Sequence, residues 1–268
     1  VTDVAAIREL LASGVVFDLG RPGDMTAIDP DTPPIVLPLS GSNAAVGSSV
    51  EGVWEASGRF AYPDGADADG EQLEVVCTGQ DHSSGTGLRW LRLLAETASG
   101  DRIYEDIEAS ITAAVATTAT DIARVIDARG IDFGSGGAAA ADIEIQRASD
   151  NAVVEQISAG RTAAESARAW VPRGYVGVVP WMAASIIGTD PAYVSLAHDW
   201  DHWTGRRLSS PSARRWIHVT ASGTISRDPL VPIILPPETR VEINAIRADS
   251  TDAKVAVDGE VLLFRGAG

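Results

Sequence analysis

Residues 101–129 read DRIYEDIEASITAAVATTATDIARVIDAR, and whether this stretch is helix or sheet decides the fold class. Acids crowd its start (Asp101, Glu105, Asp106, Glu108), Arg124 and Arg129 stand near its end, and Gly130 follows. That polarity suits a helix dipole and a glycine stop. Tyr104, Ile107, Ile111, Val115, Thr118, Ile122 and Val125 step by three or four, which predicts one long helix with a single apolar seam. The remaining surface is Ala and Thr, too small and uncharged for a lone solvated helix. The seam Ile107, Ile111, Val115, Ile122 is therefore expected to meet a neighbour, and Ile at seam positions favours bundles of three or more chains.

Near the N-terminus, Thr2 or Asp3 can cap a short helix through about Ala12, and Gly14 stops it. From Val15 to Leu94 the signals are strand and turn: Val15-Val16-Phe17, Ile35-Val36-Leu37, Val50 to Trp54, Leu73 to Cys77 and Leu88 to Leu94, separated by clusters such as Arg21-Pro22-Gly23-Asp24. After Gly134-Ser135-Gly136-Gly137, a second helical region is read from about Asp150 to Trp170, closed by Pro172. From Tyr175 the pattern is β to the end. The expected fold class is α+β: a β-rich N-terminal domain (1–100), a helical connector with one long helix (101–172), and a C-terminal β-sandwich or jelly roll (173–268).

In the last part, strict alternation places Val241, Ile243 and Ala245 inward and Glu242 and Asn244 toward water. Pro236-Pro237 sets the start of that strand, and Asp258-Gly259 is read as a tight hairpin turn.

Charge narrows the function classes. The 268 residues carry 21 Lys and Arg against 37 Asp and Glu, a formal net charge of −16, and the basic residues form no continuous patch. Such a potential repels phosphate backbones and anionic lipid, so neither nucleic acid nor membrane insertion is expected. The first residues lack the basic start and apolar run of a signal peptide. The single cysteine, Cys77, sits in an apolar run and reads as a buried, inert hydrophobe.

Four constellations could carry chemistry. His198-Asp199-Trp200-Asp201-His202-Trp203 offers N and O ligands, but an extended segment splits the histidines from the acids, and no third or fourth ligand is identifiable. Asp64 to Glu71 approaches a calcium loop; aligning Asp67, Asp69 and Gly70 leaves Gly65 and Val76 where two ligands belong. Asp132-Phe133-Gly134 spells a kinase triplet without the rest of a kinase. Asp81-His82-Ser83-Ser84 gathers an acid, a base and hydroxyls in one loop, whereas triad members come from separate segments. His218, beside Trp216, reads as a packed strand histidine. No catalytic residue, cofactor or metal is expected.

The tail from Leu235-Pro236-Pro237 through Val241-Glu242-Ile243-Asn244-Ala245 to Val261-Leu262-Leu263-Phe264 resembles the closing strands of β-sandwich modules in structural proteins of tailed bacteriophages. That resemblance covers about the last fifty residues and is one of pattern. It implies a virion structural subunit (tail, collar or capsid-associated) that assembles with itself, as a trimer or higher, and with other virion proteins. A host-surface glycan is the further partner it suggests, and the virion is the expected location, with the cytoplasm as alternative. Two rival classes stand beside it: a polysaccharide-acting hydrolase using a carboxylate pair in a cleft, and a carbohydrate-binding module stacking sugars on Trp200 and Trp203.

Overall fold

In this computed structural model the described residues are 33–56, 58–62, 69–201, 206–213, 217–220, 223–227 and 233–265. The helix read through Ala12, the strand at Val15 to Phe17 and the turn at Arg21 to Asp24 lie outside them. The chain forms two compact units, Val1–Val53 with Ala167–Gly268, and Trp54–Ser166.

The first unit begins with β1 (Ile35–Pro38), β2 (Gly41–Val46) and β3 (Glu51–Gly52). The second holds β4 (Leu73–Val76), β5 (Leu88–Thr97), β6 (Arg102–Glu108), β7 (Val115–Ala116), β8 (Ile122–Phe133), β9 (Ile143–Arg147) and β10 (Val153–Ile157). On its return the first unit adds β11 (Arg168–Trp170), β12 (Tyr175–Val179), β13 (Met182–Ile186), β14 (Ala192–Asp201), β15 (Arg206–Ala213) and β16 (Ile217–Val219). It closes with β17 (Thr224–Arg227), β18 (Ile233–Leu235), β19 (Arg240–Arg247) and β20 (Ala253–Arg265). The described residues contain no helix, so the α+β class with a helical connector is corrected to a mainly β fold.

The long helix expected over 101–129 is instead β6, a connecting loop, β7 and the first part of β8. Its β-branched and aromatic residues suit a pleated surface. In β6 the side chains of Ile103, Glu105 and Ile107 turn inward while those of Arg102, Tyr104, Asp106 and Glu108 are exposed, a period of two. Gly130, read as a helix stop, lies inside β8; a Cβ there would collide with the Phe133 ring and with Leu88. The second helical region, Asp150 to Trp170, contains β10 and β11.

Every ladder in the molecule's described residues is antiparallel. In the second unit a four-stranded sheet (β10-β9-β4-β7) and a three-stranded sheet (β6-β5-β8) share one core. Leu73, Val75, Ile143 and Ile145 from the first meet Leu91, Leu93, Ala95 and Ile107 from the second. β5 shows why: its sequence LRWLRLLAET puts Leu91, Leu93 and Ala95 on one side and Arg92 on the other.

In the first unit, a sheet ordered β17-β13-β20-β12-β18, with β1 and β2 also on β20, faces one ordered β11-β19-β14-β15. Val241, Ile243 and Ala245 are fully buried there, in register with His198, Leu196 and Val194, so the inward half of the alternation holds. The outward half does not: Glu242 and Asn244 are 8% and 7% exposed rather than in water, and Asn244 Nδ2 donates to Glu242 Oε1 at 2.8 Å.

Nor is there a hairpin at Asp258-Gly259. β20 runs through it unbroken, paired with β13 at Met182 and accepting the Leu39 N–H at the Gly259 carbonyl. Pro236-Pro237 does lead directly into β19; Glu238 sits at φ 63° and Thr239 Oγ1 donates to the Pro236 carbonyl at 2.7 Å.

Candidate functional site

The polar groups that sequence offers as chemistry are largely spent on backbone. Asp81 is fully buried, and its carboxylate accepts the N–H groups of Leu88 (2.6 Å), Ala140 (2.9 Å) and Ala141 (2.8 Å). These amides lie on two segments about fifty residues apart in sequence, so the carboxylate ties them together. Its neighbour His82 has Nδ1 3.4 Å from Ser84 Oγ at the surface, and Asp81 is turned away into its amide cradle. The loop therefore anchors strands instead of assembling a triad.

Other acids of the second unit are held likewise. Glu105 accepts the N–H groups of Thr118 and Ala119, each at 2.7 Å. Asp106 takes both Nε and Nη2 of Arg92 at 2.7 Å, a bidentate pair on the exposed face of the three-stranded sheet. The Arg92 hydrogen bond holds the Asp106 carboxyl below the usual carboxylate range, and the Arg147 fork does the same for Asp150. Glu155, 5% exposed, accepts Ser166 Oγ at 2.9 Å. Glu74 accepts Gln146 Nε2 at 2.6 Å.

Cys77 is buried, and burial pushes its thiol up to about 11, so it stays protonated at neutral pH.

In the first unit, His198 and Asp199 lie in β14. His198 is 3% exposed on the core side opposite Val241. Asp199 is fully buried at the β14–β15 bulge and accepts the Arg240 N–H at 2.8 Å. Trp200 and Asp201 continue β14 as backbone, but the Trp200 side chain lies outside the described residues, as do His202 and Trp203. The side chain of His218 and all of Trp216 lie outside them too, and so does the acidic loop from Asp64 to Ala68. Among the described residues no group of three or more His, Cys, Asp and Glu side chains converges.

The four seam residues separate once the helix is gone. Ile107 in β6 and Ile122 in β8 belong to the second unit's own core, and Val115 in β7 packs against it. Ile111 lies in the loop after β6 and is 48% exposed. The feature sequence reasoning missed is the three-stranded sheet itself. Its open face carries Trp90, Tyr104 and the Arg92–Asp106 pair, and β6 forms its edge. The alternation Arg102, Tyr104, Asp106, Glu108 was the available signal.

No family model and no curated protein matches this chain. A structure of infectious bursal disease virus, Gx strain, aligns over 97% of this chain and 78% of that chain with 8% identity and a TM-score of 0.19. A likeness of that depth carries no argument about fold or function.

Proposed function

We propose that this protein is a structural subunit of a phage-type virion, a tail, collar or capsid-associated part that works by assembling with itself and with other virion proteins. The observation that supports the reading is the use of its acids. Asp81, Glu105, Asp106 and Asp199 each grip a backbone amide or a guanidinium of their own chain. A carboxylate that accepts several N–H bonds is fixed in place and ties the segments it bonds, which suits a scaffold. The antiparallel sheets and the acidic composition agree with such a part.

Mass photometry of the purified full chain, with negative-stain microscopy of the same sample, tests the reading. A discrete oligomer of regular shape is the expected result. A monomer at every concentration, together with cleavage of a polysaccharide substrate, would replace the structural role with a hydrolase.

A further inference from the structure

A sheet edge is a template for another strand unless the sequence blunts it. In the first unit, Leu39 N–H donates to Gly259 O at 2.9 Å, so along β1 residues 35 and 37 bond to β20 while 34, 36 and 38 turn their backbone away. Positions 34 and 38 are prolines, which leaves Val36 as the N–H donor between them. That edge is blunted.

The three-stranded sheet of the second unit differs at its two edges. β8 is covered: Gly130 N–H donates to Thr162 O at 2.7 Å, and Ala164 N–H to Ala128 O at 2.9 Å. β6 pairs with β5 alone among the described residues. Thr97 N–H donates to Asp101 O and Ala109 N–H to Arg89 O, both at 2.9 Å. This parity turns the odd-numbered residues of β6 toward β5 and points the N–H and C=O groups of Arg102, Tyr104, Asp106 and Glu108 outward. No proline interrupts them.

We propose that β6 pairs antiparallel with β6 of a second copy, about a two-fold axis at Glu105, joining two three-stranded sheets into one continuous sheet. In that register Arg102 of each copy lies opposite Glu108 of the other, and Tyr104 lies opposite Asp106, so the edge is complementary to itself as an isologous contact requires. Shifting the axis to Asp106 sets two Asp106 carboxylates against each other. Shifting it to Tyr104 sets Arg102 opposite Asp106, which Arg92 of its own chain already holds, and leaves Glu108 opposite Gly100, without a cation. The two Glu105 side chains fall at the axis on the core side, and each carboxylate is held by Thr118 and Ala119 of its own chain. Arg102 also stands opposite Glu96 within its own sheet, so it has an acid on each side in the paired edge.

This inference rests on the assembly reading and names its contact. The test is mass photometry of the full chain across a dilution series, for the wild type, Arg102→Glu, Glu108→Arg, the double exchange and Tyr104→Pro. Each single reversal is expected to weaken association about tenfold, because two cross-strand pairs turn repulsive at once. The double exchange restores it. Tyr104→Pro removes an outward N–H, leaves the β5 ladder intact and yields monomer, with an unchanged circular-dichroism spectrum reporting its fold; if it fails to fold, the charge exchange decides. A wild type that assembles while the reversals have no effect overturns the β6 contact and leaves assembly standing. A wild type that is monomeric throughout overturns both.

Discussion

Strands β19 and β6 both alternate apolar with polar side chains, and the polar sides meet opposite surroundings. On β6, Arg102, Tyr104 and Asp106 stand in water. On β19, Glu242 and Asn244 are buried and hydrogen-bonded to each other, in a strand flanked by β11 and β14. Alternation identifies the side of a strand that meets the core; it does not say what the second side meets. The same type of substitution should therefore cost much on one strand and little on the other.

The sharpest contrast comes from Ile243→Asp, which puts an unpaired charge into the core of the first unit and should destabilise by about 4 kcal/mol or more in urea melts. A loss below about 1 kcal/mol would mean that the packing around β19 is not as described. Asp81→Ala comes next. It strands the amides of Leu88, Ala140 and Ala141 and should cost about 3 kcal/mol, with Asp81→Asn recovering part of it because one oxygen remains. Equal stability of Asp81→Ala and wild type would show that water satisfies those amides.

Glu242→Lys separates the two strands most directly. Burial of the carboxylate beside Asn244 predicts a loss of about 2 kcal/mol, where a water-facing residue would give nearly none. Asp106→Ala, on the open face, should leave the melting midpoint nearly unchanged, since its pair with Arg92 is exposed and screened.

The smallest effect is one of pH. The folded-state value of Asp106 is depressed, so its contribution is fully present above the ordinary carboxylate value and is lost as pH falls through the folded value. An NMR titration should find Asp106 ionised below the usual range, and Arg92→Gln should return it upward. No change on that substitution would mean that Arg92 is not the cause.

Local sequence chemistry is enough for the sheet character of the C-terminal part, the inward set Val241, Ile243 and Ala245, the Pro236-Pro237 turn into β19 and the burial of Cys77. Each depends on local chemistry: period-two alternation, a missing N–H, an apolar run. The stretch 101–129 was open to two readings because residues four apart share a face in both a helix and a strand. Ile107, Ile111 and Val115 are spaced so, and tertiary pairing of β6 with β5 and of β7 with β4 chose the strand.

Pairing on both edges of β20 likewise kept Asp258-Gly259 extended, where the dipeptide alone favours a turn. Long-range pairing sets where the chain leaves its first unit, at Val53, and where it returns, at Ala167, whose N–H donates to the Val53 carbonyl at 3.0 Å. That hydrogen bond joins residues more than a hundred positions apart, and no local preference of either one encodes its partner.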